Sequence, residues 1–312
     1  MVSERERAVG SVLGLAVGDA LGAPFEFRRA RELPSPIPAF ELPWNGYPPG
    51  TWTDDTAMAR NLWCSLTATG GELDTADVLR RHVEWLATGP PDVGTLTRRV
   101  LAWAAEGEPD PARRYVTERG PEVSAGNGSV MYCAPLGVAY SHRPGDLFSA
   151  APALSAITHW DERCRTACLA VTLATAALIR GEPAELAVRA ALEAVADRDG
   201  GEELEYLVGG AGIERPIDGP DQGFVFFTAG VAMRMAGEAR GFEEGLRKVI
   251  ALGGDTDTNA AVAGALLGAL HGLDGIPRAW LAALADRGAL QEEAERSWDA
   301  CIRSDPPGSR NG

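Results

Sequence analysis

Two short strings in the sequence concentrate oxygen ligands. GTWTDDTAMAR places Thr53, Asp54, Asp55 and Thr56 directly before a helical pattern, and GGDTDTNAAVAGALLGAL places Asp255, Thr256, Asp257 and Thr258 directly before another. Asp and Thr are favoured helix caps, and acids in a first turn interact well with the helix dipole, so either string alone is explained by capping. Together they supply more acid and hydroxyl oxygens than two caps use. Carboxylates crowded without a cation repel until some protonate. With no flanking Cys or His, these oxygens form a hard-ligand set suited to Mg²⁺, Mn²⁺ or Ca²⁺ rather than zinc. The chemistry expected of the pair is one or two divalent cations held between two helix N-termini.

Other strings could bind or orient a substrate. In GNGSVMYCAPLG, 126–137, two glycines bracket Asn127, with Ser129 before an apolar run, a composition that lets backbone N–H groups approach an anion. A plain glycine-rich helix start would read the same way. Asp92, in PPDVGTLTRR, reads from its neighbours as a turn residue or an N-cap to the helix beginning near Gly94. His159, in THWDERC, precedes a helix and has no partner at metal-ligand spacing. GFVFFTAGVAM, 223–233, stacks aromatics at a helix start, where core packing is the default and an exposed face of Phe224 or Phe226 the alternative.

The elements that must position these groups are helical. Apolar residues recur at three- and four-residue spacings over 4–22, 55–69, 75–87, 94–105, 146–157, 162–180, 184–196, 224–238, 242–251, 257–271 and 277–286, while strand-like alternation is scarce. The fold class expected is therefore all-α. Gly10, Gly14, Gly18 and Gly22 recur every four residues, as do Gly264, Gly268 and Gly272. Gly costs roughly 1 kcal/mol relative to Ala inside a helix, so such ridges predict two central helices with close neighbours on their glycine faces. If the ridges meet that need, both ends of the chain share one core. Residues 1–302 read as a single domain and 303–312 as a polar, frayed tail. Between Pro24 and Gly50 seven prolines exclude helix, and this excursion has the character of a lid.

Composition removes several function classes. Forty-four acidic against 29 basic side chains leave a net charge of −15, which repels phosphate backbones and anionic membranes, so general nucleic-acid and membrane partners are not expected. Lys248 is the only lysine, which argues against Schiff-base and Walker-type chemistry. Five Cys without a CxxC support neither a disulfide framework nor a zinc ribbon. The N-terminal stretch is broken by glycines, reads as too short in apolar run for a membrane span, and mixes Glu with Arg unlike a secretory leader; a cytoplasmic location is expected.

Taken in order, GDALGAPFEF at 18–27, TDDTAMA, GNGSVMYCAPLG, THWDERCRTA at 158–167 and GGDTDTNAAVAGALLGA resemble the motifs of the ADP-ribosylglycohydrolase family, including the dinitrogenase reductase-activating glycohydrolases, over residues 8–272. The resemblance implies a compact orthogonal multi-helix enzyme with two divalent cations, Mg²⁺ or Mn²⁺, that cleaves the bond at the distal ribose anomeric carbon of an ADP-ribosyl group. Its substrate would be an ADP-ribosylated protein or a small ADP-ribosyl compound. Carried across by motif, the metal ligands are Thr53, Asp54, Asp55, Asp255, Asp257 and Thr258. Glu26 matches a glutamate on a mobile flap, and Asp92 matches an acid close to the bound ADP-ribose; with Asp55 these are the candidate catalytic carboxylates. Asn127, Gly128, Ser129, Met131, His159 and Phe224 would line the ADP-ribose cleft, with Tyr140 another stacking candidate. Many relatives carry Arg where this chain has Tyr132, a departure placed at the acceptor rim.

Two other functions fit parts of the pattern. A catalytically silent ADP-ribose binder would keep the fold but has no need of all six ligand types together with Glu26 and Asp92. A prenyl-diphosphate scaffold also holds Mg²⁺ on aspartates, but needs DDxxD-like spacing, and DDTAM lacks the final acid.

Overall fold

The structure, a computed structural model, describes residues 2–209 and 216–304. The expected tail lies outside the described residues from 305 onward, as does part of the loop at 209–223. Among the described residues the chain forms fifteen α-helices: α1 (Glu4–Gly22), α2 (Asp54–Thr69), α3 (Thr75–Ala87), α4 (Thr95–Ala105), α5 (Pro111–Arg119), α6 (Ala134–Ala139), α7 (Leu147–Ser155), α8 (Glu162–Ile179), α9 (Ala184–Glu193), α10 (Gly201–Val208), α11 (Val225–Glu238), α12 (Phe242–Ile250), α13 (Thr256–His271), α14 (Arg278–Ala283) and α15 (Arg287–Ser304). The only sheet among them is one antiparallel pair, β1 (Arg28–Arg29) with β2 (Gly253–Gly254). The all-α reading holds.

Four helices were not among those expected: α5, α6, α10 and α15. Seven of the 18 residues of α15 are charged, and of its buried residues Leu290, Ala294, Ser297, Trp298 and Cys301 only two are large apolar side chains. With small Ala, Ser and Cys among them, that stripe is a weak apolar signal in the sequence.

The glycine ridges meet each other. A Cβ added to Gly18 would stand 1.9 Å from the Ala260 carbonyl oxygen, one on Gly14 2.2 Å from that of Gly264, and one on Gly268 2.0 Å from that of Gly10. The pairing runs in opposite directions along the two helices, so α1 and α13 lie antiparallel with backbones in contact. Any side chain on these faces would push them apart. Gly22 faces Thr256 and Asp257 at the same closeness, so the C-terminus of α1 meets the N-terminus of α13.

By length and composition Glu4–Phe25 is apolar enough to cross a membrane, contrary to the sequence reading, because glycine scarcely lowers mean hydropathy. That window is nevertheless 94% buried within the protein. One apolar core runs from Ala8 on α1 to Trp298 and Cys301 on α15, beside a small satellite of Val100, Ala112 and Tyr115.

The proline-rich excursion is seated on this core. Ile37 and Trp44 are buried, the Phe40 ring packs edge-on against Trp280, and Ala285 donates a backbone hydrogen bond to Gly50.

Candidate active site

Helix α2 begins at Thr53, whose own side chain makes no capping bond. The cap comes from α1. Asp19, fully buried, accepts hydrogen bonds from the Thr53 and Thr56 backbone N–H groups at 3.0 Å and from their hydroxyls at 2.9 and 2.5 Å. The start of α2, and with it Asp54 and Asp55, is thus oriented by a carboxylate 34 residues earlier. Asp19 was not singled out in the sequence. The available signal is that it is the only charged residue in the apolar stretch from Ala8 to Gly22.

Beyond α1 the chain turns through Glu26 and pairs with the segment leading into α13. The Phe27 N–H donates to the Gly254 carbonyl at 2.7 Å. Gly253 and Gly254 take φ of +71° and +78°, and a Cβ there would strike the Ala30 nitrogen and the Ile217 carbonyl oxygen. Both positions therefore require glycine. This pairing brings the Glu26, Asp255 and Asp257 carboxylates together, with one oxygen of each within 4.8 Å of the others. Asp255 accepts from the Asn127 amide at 2.9 Å, and the same amide donates to Thr228, whose hydroxyl bonds Asn259. Thr258 donates its N–H to Asp257.

The acids of both helix starts are buried: Thr53, Asp54, Asp55, Asp255, Asp257 and Thr258 are each less than a tenth exposed. Burial, with Asp92, Asp255 and Asp54 nearby, pushes Glu26 up to about 9. Burial and the charges of Asp92 and Asp19 push Asp54 up to about 7. Asp55 and Asp257 rise well above the usual carboxylate range for the same reasons, burial foremost. Asp19 rises to about 6 through burial, against the pull of its four hydrogen bonds. Asp92, half-buried, is raised by burial and then by Asp255. These groups cannot all be ionised together unless positive charge is added.

The donor set fits a hard divalent cation. None of the ion pairs among the described residues engages these acids. The Asp55 Oδ1 atom is buried without a hydrogen-bond partner. The Thr53 hydroxyl donates to Asp19 at 2.9 Å and also lies 3.3 Å from Asp55 Oδ2. An unpartnered buried carboxylate oxygen among further carboxylates is what a Mg²⁺- or Mn²⁺-sized ion would satisfy.

The expected binding residues divide into two groups. Asn127 joins the acidic cluster directly, and the Gly223 carbonyl accepts its backbone N–H. Gly126 pairs with Phe224, and both line an open cavity of about 600 Å³ with Ala125, Arg163, Asp221 and Gly223. Phe224 is half-buried, with the Arg163 guanidinium over its ring. A Cβ on Gly128 would strike the His159 ring and the Thr97 hydroxyl, so Gly128 permits that ring to close under the loop. His159 is 2% exposed, bonds Thr158, and is pushed down to about 3 by burial. Ser129 is fully buried against Ser155 and Cys168, and Met131 is 4% exposed in the core.

The rim placement of Tyr132 is corrected. Its ring is fully buried, with the hydroxyl near Thr158 and His82 edge-on. A phenol can be enclosed by helices in a way that a guanidinium cannot without a paired acid. Tyr140 is also turned into the core, its hydroxyl accepting the Leu73 N–H. Phe226 is fully buried.

Fold and site together define the class: an all-α protein whose chemistry is built on a carboxylate cluster where paired helix N-termini meet the end of a third helix. The family profile of ADP-ribosylglycohydrolase matches residues 1–307. The chain belongs to the ADP-ribosylglycohydrolase family, a family of hydrolases. It is 33% identical over 309 residues to an ADP-ribosyl-[dinitrogen reductase] glycohydrolase of Rhodospirillum rubrum, covering 96% of this chain and 97% of that one. It is 28% identical over 310 residues to the ADP-ribosylarginine hydrolase Tri1 of Pseudomonas putida (strain GB-1), covering 96% and 80%. A solved structure described as an ADP-ribosylglycohydrolase-related protein complex superposes with a TM-score of 0.81 at 34% identity, over 96% of this chain and 99% of that chain.

Proposed function

We propose that this protein hydrolyses the glycosidic bond at the distal ribose anomeric carbon of ADP-ribosylated proteins or small ADP-ribosyl compounds, releasing ADP-ribose, with two divalent cations, Mg²⁺ or Mn²⁺, as cofactors. The observation that carries this reading is the cluster of Glu26, Asp255 and Asp257, with Asp54, Asp55 and Asp92 close enough to raise the pKa of its members, and no neutralising ion pair among the described residues. Thr53, Asp54, Asp55, Asp255, Asp257 and Thr258 would hold the cations. Bound there, the cations would polarise ribose oxygens and lower the pKa of a bound water.

The chain's own groups supply the rest. Asp19 holds the Thr53 and Thr56 donors so that the α2 carboxylates face α13. The Asn127 amide fixes one Asp255 oxygen and leaves the other to face the centre. Cleavage passes through an oxocarbenium-like state, which a wall of carboxylates stabilises. Glu26, grouped with Asp255 and Asp257, is placed to exchange a proton with the departing group. Asp92, half-buried and facing the same centre, is the second carboxylate available for proton transfer, and Asp55 the third. The cavity beside Gly126 and Phe224 offers an aromatic ring and backbone groups to the nucleotide end.

Incubation with Mg²⁺ or Mn²⁺ and a panel of ADP-ribosylated peptides and small molecules tests the reading by the appearance of free ADP-ribose. Asp255→Ala is expected to lose metal binding and turnover together while staying folded, and Glu26→Ala to lose more turnover than metal affinity. Undiminished turnover in Asp255→Ala would overturn the assignment.

A further inference from the structure

The mouth of the site carries a feature that bond cleavage does not use. Glu26 is followed by Phe27, Arg28, Arg29 and, beyond Ala30, Arg31, and these four side chains are exposed. Phe27 is 60% exposed with φ at +60°, a left-handed conformation that bulky residues rarely take. Glycine or asparagine would suit that position better on stability grounds alone. The turn sends the ring outward, while the Phe27 N–H and the β1–β2 pairing tie this backbone to the segment entering Asp255. The lip is thus joined on one side to Glu26 and on the other to Asp255, the two walls of the acidic cluster.

Charge indicates what the lip would meet. The Arg28 and Arg29 guanidiniums make no ion pair among the described residues; Glu32 accepts the Arg29 backbone N–H at 3.5 Å and Asp218 that of Ala30 at 2.9 Å, and Arg31 approaches Glu32 only at 3.9 Å with both side chains more than half exposed. In a chain of net charge −15 these are locally concentrated cations beside an anionic site. An acidic partner is repelled by most of this protein and attracted at the lip, which orients it with the lip toward itself. An exposed aromatic flanked by arginines is also the composition of an interface anchor.

We propose that Phe27, Arg28 and Arg29 form a docking lip for the acceptor side of the substrate, recognising an acidic stretch of protein that flanks the modified residue. This rests on the reading that the protein removes ADP-ribose, and it names the class of acceptor that would be favoured.

Two peptides ADP-ribosylated on arginine, identical except for Glu/Asp or Lys residues flanking the modified position, provide the test. Wild-type kcat/KM should favour the acidic peptide on the order of tenfold at low salt, through KM, and the preference should collapse at high salt. Arg28→Glu with Arg29→Glu should invert it. Phe27→Gly should raise KM for the acidic peptide while the unfolding midpoint holds or rises, an outcome that a purely structural role for Phe27 does not give. Equal kcat/KM for both peptides in the wild type, or an unchanged preference in the charge-reversed variant, would overturn the lip. Peptide binding read by fluorescence anisotropy separates the two readings. Flank-dependent binding without turnover of either peptide would keep the lip and exclude hydrolysis of the arginine linkage, whereas flank-independent binding would sink the lip.

Discussion

Replacing Gly18 by alanine sets two effects against each other. In an isolated helix the change is favourable by roughly 1 kcal/mol, because alanine loses less backbone freedom. Here the new Cβ would lie 1.9 Å from the Ala260 carbonyl oxygen and 2.5 Å from its carbon. The obstacle is main chain, so no rotamer change relieves it. Helices α1 and α13 would have to separate by more than about 1 Å, and overpacking of this kind costs about 1–3 kcal/mol. A net loss of about 1 kcal/mol, and at most about 2, is expected from these two terms. Because α1 ends beside Glu26 and α13 begins at Asp255, the same displacement loosens the site, and a 1 Å error in placement can cost on the order of a hundredfold in rate. Gly237, on α11, is the matched control: nothing lies within 4 Å of a Cβ built there. Gly237→Ala should therefore hold or stabilise the fold. Urea unfolding of both variants, with manganese titration calorimetry, reads the outcome. A Gly18→Ala protein as stable as the wild type, with unchanged manganese affinity, would refute the close-contact reasoning.

Removing the buried Asp19 carboxylate leaves the Thr53 and Thr56 N–H groups and the Thr56 hydroxyl without an acceptor, while the Thr53 hydroxyl keeps Asp55. Asp19→Ala should cost at least about 3 kcal/mol, since each buried group left unsatisfied costs about 1–3 kcal/mol, and should weaken manganese binding; Asp19→Asn, with one acceptor oxygen, should fall between. Calorimetry and chemical unfolding on the three proteins check the order. His82 and His159 are both pushed down to about 3 by burial. Between that value and the ordinary 6.5 the unfolded chain takes up protons that the folded chain refuses, so stability falls as pH drops through this window, by about 1.4 kcal/mol per pH unit for each histidine. Above 6.5 both states are neutral and the effect vanishes. His82→Gln should show a shallower acid limb than the wild type in thermal melts from pH 7 to 4; identical limbs would mean that His82 is not buried and neutral.

Much of the site could be read from the sequence because its residues lie in short strings. Thr53 to Asp55 and Asp255 to Thr258 each occupy the start of one helix, where capping preference, local charge and ligand chemistry leave the same mark. The glycine ridges were legible because a four-residue period of glycine in a helical pattern has few explanations, and it predicts close backbone contact on those faces; that the two ridges meet each other is seen only in the structure. The residues that support the site were less legible. Asp19 acts across 34 positions, and Asn127 reaches Asp255 across 128, so neither leaves a local pattern. Tyr132 and Ser129 sit in motif strings yet face inward, since a motif gives residue type and order but not the direction of each side chain.

From its order of residues alone this chain specifies helices, their close-packing faces and two clusters of acid and hydroxyl oxygens, because periodicity, capping and side-chain type are properties of neighbours along the backbone. The tertiary structure alone decides that the clusters share a centre, that Glu26 stands within it, that Asp19 rather than Thr53 caps α2, and that Phe27 faces solvent. Those outcomes depend on the antiparallel contact of α1 with α13 and on the β1–β2 pairing, where segments more than 200 residues apart meet. Such contacts are selected by the packing of the whole core and cannot be read from any one stretch.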